Sequence, residues 1–223
     1  MRYKEGTSSF LSNEAYKTLR TNLEFSGPDN RVIVITSCSP GEGKSVVSFN
    51  LARSLAQGGK RVLFIDADMR RSRFLGAIYS DSPFKGLSHF LSGQAELADV
   101  ILQVNIRNLF AIFAGPNPPD PAELLGSPLF SGLINDARTE YDFVIIDTPP
   151  LGSVIDAAIA AKVAGSAAIV VEEGVTRRKF IRVIKEQLDK ADCKMLGIIL
   201  NKVEQKKGGY YNDYYGEYYN REY

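Results

Sequence analysis

The sequence predicts an α/β fold, a mostly parallel open sheet flanked by helices on both faces. Three observations carry that prediction. Short apolar runs are continuous rather than alternating, as in strands covered on both sides. Helical segments separate them, which implies parallel strands joined by crossovers. A glycine-rich turn, "CSPGEGKS" (38–45), leads from the first run into the first long helix.

Taken in order, residues 1–27 hold a helix, "SNEAYKTLRTNLEF", with Ser12 as its N-cap. "RVIVIT" (31–36) is the first buried strand. "SVVSFNLARSLAQGG" (45–59) is a helix stopped by paired glycines. "RVLFID" (61–66), "DFVIID" (142–147) and "MLGIIL" (195–200) read as further fully buried strands. "LFAIFAG" (109–115) and "AAIVVEEG" (167–174) add two more. Residues 121–141 hold one or two helices, with Pro128 favouring a break. "TRRKFIRVIKEQLDKAD" (176–192) places Phe180, Ile184 and Leu188 on one helical face. The expected organisation is one domain over 1–207 and a flexible tyrosine-rich tail over 208–223.

Bulk properties narrow the function classes. A chain of 223 residues suits one large domain, and its formal charge of +1 gives no global field for nucleic acid or membrane. No basic–aromatic surface suggests nucleic acid either. Two cysteines, Cys38 and Cys193, make no disulfide framework and suit a reducing compartment. "MRYKEGTSSF" lacks the apolar core of a signal peptide. No apolar run approaches the ~20 residues that span a bilayer.

The turn at 38–45 is a phosphate loop by context, since it follows a strand and opens a helix. Ser39, Pro40, Gly41, Glu42, Gly43, Lys44, Ser45 and Val46 would surround the phosphates of ATP. Gly41 and Gly43 permit backbone that turns N–H groups inward, and the helix N-terminus adds partial positive charge. Lys44 reaches the terminal phosphates and the Ser45 hydroxyl binds Mg²⁺ in this pattern. Cys38 stands where the usual motif has glycine.

Three acids end strands on the same sheet edge. Asp66 and Asp68 lie in "VLFIDADMR", and Asp147 ends "FVIID". The first two can serve a metal or accept a proton, or form an ordinary charged turn. Asp147 is Walker-B-like and expected at Mg²⁺, the competing role being an N-cap before a helix near 153. Asn201, just past the last strand, either reads an adenine edge or is a turn residue. "RRSR" (70–73) is either a lining for an acidic peptide or a solvated loop. His89 reads as a packing or surface residue, and nothing resembles a zinc site.

Seven of the eleven tyrosines sit in the last fourteen residues, at Tyr210, Tyr211, Tyr214, Tyr215, Tyr218, Tyr219 and Tyr223. With "SPGEGKS", "IDADMR", "VIIDTPP" and "GPNPPDPAELL" (115–125), this makes the chain resemble the bacterial tyrosine kinases of capsule and exopolysaccharide operons, in their free-standing Gram-positive form. These belong to the deviant-Walker, partition-ATPase-like superfamily of phosphate-loop NTPases. The resemblance implies an ATP- and Mg²⁺-dependent autokinase. Lys44 would stabilise transferred charge, Asp66 would act as general base, and Asp68 and Asp147 would support the metal. Arg70 would sit near phosphates or at a subunit contact. The tail tyrosines would be acceptors on a neighbouring subunit of a ring, with an octamer as one size it allows. Glu14, Lys17 and Arg20 occupy the family's E-x-x-R-x-x-R ring motif, where Lys17 departs from arginine. Implied partners are the cytoplasmic tail of a transmembrane polysaccharide co-polymerase, other tyrosine substrates and a tyrosine phosphatase. Implied location is cytoplasmic, at the membrane face through that adaptor.

Two other readings compete. A partition- or division-site switch ATPase would carry an extra lysine where this chain has Ser39, and an amphipathic C-terminus where it has tyrosines. A non-catalytic nucleotide-binding scaffold would not need the intact acids.

Overall fold

The structure is a computed structural model and describes residues 2–3, 10–74, 78–79 and 84–204. Its strands are β1 (Arg2–Tyr3), β2 (Val32–Ser37), β3 (Val62–Asp66), β4 (Ile78–Tyr79), β5 (Leu102–Gln103), β6 (Leu109–Ile112), β7 (Phe143–Asp147), β8 (Ser166–Glu172) and β9 (Lys194–Asn201). Its helices are α1 (Phe10–Glu24), α2 (Lys44–Gln57), α3 (Leu87–Leu91), α4 (Leu97–Val100), α5 (Pro121–Leu125), α6 (Pro128–Glu140), α7 (Asp156–Ala164) and α8 (Arg178–Lys190).

Seven strands form one sheet in the order β5-β6-β3-β7-β2-β8-β9, while β1 and β4 pair separately. Every pairing in the large sheet is parallel except β5 with β6. Side chains alternate between two cores. Val32, Val34, Leu63, Ile65, Val144 and Ile146 face a core completed by α5, α6, α7 and α8. Ile33, Ile35, Val62, Phe64 and Ile145 face a second core completed by α1 and α2. Both faces are therefore dry, which is why these strands read as unbroken apolar runs.

The register builds the site. Asp66 pairs with Asp147 across β3 and β7, and Ile35 pairs with Asp147 across β2 and β7. Two carboxylates are thus delivered side by side at the carboxyl edge of the central strands, next to the turn leaving β2. Ligands of open α/β sheets bind at this edge.

Three expectations need correction, and one competing role falls away. β9 is not fully buried: it is an edge strand, and Ile198 and Leu200 are half-exposed. Continuous apolarity there reflects one covered face and one uncovered edge. Ser12 is not the cap of α1, which starts two residues earlier, at Phe10. Asp147 caps no helix, because α7 begins only at Asp156. Phe180 does not share the burial of Ile184 and Leu188 and stays half-exposed at the start of α8. Pro128 does break 121–141 into two helices, with Asp120 and Ser127 as side-chain caps. The expected linker and tail from 208 onward lie outside the described residues.

Candidate active site

The phosphate loop is shaped by Gly43, whose φ of 90° is left-handed. A Cβ there would run into the Asn201 side-chain amide, so any other residue would displace Asn201 as well as strain the backbone. α2 starts at Lys44, which directs the helix N-terminus at the same space.

Lys44 is buried and bridges the acids. Its Nζ lies 3.0 Å from Asp68 Oδ2 and 3.6 Å from Asp147 Oδ1, and it donates to Ser45 Oγ at 3.1 Å. Burial alone would lower its pKa, but Asp147 and Asp68 outweigh that and raise it, so the ammonium stays charged. Asp66 is fully buried and accepts from the Asp68 backbone N–H at 3.2 Å and from the Ser72 hydroxyl. Burial, and then the Asp147 charge, push Asp66 up to about 8. Asp68 accepts from the Arg71 N–H at 3.0 Å. Asp147 differs: neither of its buried oxygens has a hydrogen-bond partner. Burial raises its pKa, opposed first by the Lys44 charge and then by the neighbouring Ser45 and Ser48 hydroxyls.

Such an arrangement of phosphate loop, buried lysine and strand-end acids suits phosphoryl transfer. Comparison with known proteins gives the same class. A family profile described as an AAA domain matches residues 30–191. Tyrosine-protein kinase CpsD of Streptococcus agalactiae is 41% identical over 95% of this chain and 91% of its own length. The crystal structure of the chimerical protein CapA2B2 superposes with a TM-score of 0.81 at 33% identity, covering 92% of this chain and 93% of that one. The chain belongs to the bacterial tyrosine-protein kinases. The fold is shared more distantly with the septum site-determining protein MinD of Pyrococcus horikoshii OT3, complexed with Mg-ADP, at a TM-score of 0.66 and 27% identity over 79% of this chain and 72% of that one.

In this kinase the acids fit a hard cation such as Mg²⁺. The two buried Asp147 oxygens, which accept no hydrogen bond, and the nearby Ser45 hydroxyl are the oxygen donors that ion prefers. Among the described residues no three His, Cys, Asp or Glu side chains make a closed metal cage. Mg²⁺ keeps waters and phosphate oxygens and needs only one or two carboxylates.

Asn201 reaches the loop, but its Nδ2 donates to the Glu42 carbonyl at 2.9 Å; its other N–H and its carbonyl oxygen are the parts left for a base. Arg70 is bound in a two-pronged pair to buried Asp156, at 2.8 and 3.0 Å, and not to the phosphate loop. On α1, Lys17 pairs with Glu14 at 2.6 Å on the exposed side, while Arg20 donates to the Ser54 carbonyl of α2 at 2.8 Å. His89 accepts from the Gly86 N–H and so closes the start of α3. The seven tail tyrosines lie outside the described residues.

Sequence reasoning missed Ser72, Thr176 and Asp156. Ser72 holds Asp66, Thr176 donates to the Glu42 carboxylate, and Asp156 holds Arg70. Ser72 carried a signal, since it follows the acidic motif within hydrogen-bond reach. Thr176 and Asp156 are distant in sequence from their partners and carried none.

Proposed function

We propose that this kinase transfers the γ-phosphoryl group of ATP, with Mg²⁺, to the tyrosines at 210–223 of a neighbouring copy. Asp147 is the observation that carries the reading: a buried carboxylate whose oxygens accept no hydrogen bond, with the Lys44 ammonium 3.6 Å away, is costly unless a ligand completes it. Mg²⁺, when bound, supplies charge neutralisation between the phosphates. Ser45 and Asp147 would hold it, with Asp66 and Asp68 alongside. Lys44 places a fixed positive charge where phosphoryl charge develops. Asp66 accepts the phenolic proton. A phenol has a pKa near ~10 and attacks well only when a base within hydrogen-bond reach takes its proton. Asn201 would lie against the base.

The same reading assigns Glu14, Lys17 and Arg20 to contacts in a ring of copies. It adds a transmembrane polysaccharide co-polymerase as activator at the membrane face, further tyrosine substrates, an opposing phosphatase, and control of capsule or exopolysaccharide export. No helix among the described residues is long and apolar enough to cross a membrane, so contact with one would run through that activator.

The test is incubation with Mg²⁺ and γ-labelled ATP, followed by peptide mass spectrometry, with Lys44→Met and a chain truncated after Gly209 as controls. Label on the tail tyrosines, lost in both controls, is expected. Losing one preorganised charge contact costs on the order of 10²–10³ in rate, so Lys44→Met should fall by at least that much. Phosphate released to water without labelled tyrosine would instead indicate a switch ATPase.

A further inference from the structure

The phosphate loop contains a carboxylate, which is an odd resident for an anion-binding turn. Glu42 is buried, at 3% exposure. Its charge stands in the loop that would receive a triphosphate, and a like charge there opposes binding. Its two oxygens are both held. Oε2 accepts from the Ser39 N–H at 2.8 Å, which ties the start of the loop to its middle. Oε1 accepts from the Thr176 hydroxyl. Thr176 lies between β8 and α8, outside the strand–loop–helix unit, and its own oxygen accepts from the Glu172 N–H at 3.1 Å. A third contact fixes the backbone: the Glu42 carbonyl accepts from Asn201 at the end of β9. In a trans peptide the carbonyl and the next N–H point opposite ways. Holding that carbonyl therefore directs the Gly43 N–H away from Asn201, to the other side of the loop.

We infer that Thr176 is a positioning residue for the phosphate loop: its hydroxyl restrains the Glu42 carboxylate, keeping that charge off the nucleotide phosphates and the loop braced for them. This rests on the nucleotide-binding reading above. The Thr176 hydroxyl is the only part of that side chain the role requires. Without it, the carboxylate keeps one donor and is free to turn toward the incoming phosphates.

The test measures Mg-ATP affinity of the full chain by titration calorimetry, with the melting temperature of each variant. Hydrogen bonds to charged groups are worth enough that Thr176→Val should weaken binding by about tenfold or more. Thr176→Ser should stay within about twofold of wild type, because the hydroxyl is kept. The deciding measurement is a double-mutant cycle with Glu42→Gln, which keeps the side-chain shape and removes the charge. In that background Thr176→Val should cost less than about twofold. Equal loss in both backgrounds overturns the inference, as does wild-type affinity in Thr176→Val. So does a melting-temperature drop in Thr176→Val that accounts for the lost binding and persists with Glu42→Gln, since the hydroxyl would then serve the fold. If wild-type protein binds no Mg-ATP, the nucleotide reading itself fails, and this inference with it.

Discussion

Asp147 and Asp156 lie either side of one loop, the first ending β7 and the second opening α7. Both are buried, at 1% and 0% exposure. Asp156 is met by both prongs of the Arg70 guanidinium. Asp147 has no hydrogen bond to either oxygen, and the Lys44 ammonium stands 3.6 Å away. Burying a carboxylate is costly in either place. One site offsets the cost inside the fold, and the other leaves it to whatever binds. Arginine suits the first task because its fork matches a carboxylate and fixes its orientation. A single lysine shared among Asp68, Asp147 and Ser45 suits the second, because it supplies charge without saturating any one partner.

Neutralising Asp147 should break the comparison most sharply. Asp147→Asn removes a buried charge that accepts no hydrogen bond and shares its Lys44 ammonium with Asp68, so the protein without nucleotide or metal should gain on the order of 1 kcal/mol in stability. Tyrosine phosphorylation should fall by on the order of 10²–10³, as one electrostatic contact to the reacting group is lost. Chemical denaturation in EDTA reads the first effect and the labelled-ATP assay the second. A loss of stability would mean Asp147 is already satisfied within the fold.

Asp156→Asn should act in the opposite sense. Breaking a buried ion pair by removing one partner costs roughly 3–5 kcal/mol. Arg70 has 38% of its side chain exposed and can turn to water, so about 2 kcal/mol is expected here. The loop from Asp66 to Arg70 is anchored through this pair, so phosphorylation should fall only several-fold in material that remains folded. A fall as large as that of Asp147→Asn would place Asp156 in the chemistry.

The contrast also explains what the sequence made legible. The sheet could be read because strands buried on both faces are apolar throughout, and the site because its acids end those strands. Asp147 stood out at the end of "FVIID". Asp156 did not, because a buried ion pair depends on which loops meet, and that is set by topology. Its partner Arg70 was expected near phosphates or at a subunit contact on the family resemblance. β9 was misread for a related reason: apolarity records that a strand is covered on one face, while its place at the edge comes from the order of the strands. Thr176 was invisible because it meets Glu42 from the loop after the neighbouring strand, 134 positions away.

A third way of burying a titratable group is to leave it neutral, and Cys38 tests it. Burial, and then the Glu42 charge, push this thiol up to about 11 from an ordinary 9.0. The sign follows: a raised value means the neutral thiol persists to higher pH in the folded protein. Only the thiolate attacks disulfide reagents. The rise from 9.0 to about 11 cuts the thiolate fraction roughly a hundredfold at about pH 8. Cys193 is also pushed up to about 11, by burial and then by Asp192. Native protein should therefore react with a chromogenic disulfide at least about a hundredfold more slowly than urea-unfolded protein, at both sites. Oxidative control of the nucleotide site through Cys38, the one reactive role its place in the phosphate loop suggests, is disfavoured on the same ground. Fast labelling of Cys38 without unfolding would show that the loop opens, and that the brace on Glu42 is looser than its hydrogen bonds imply.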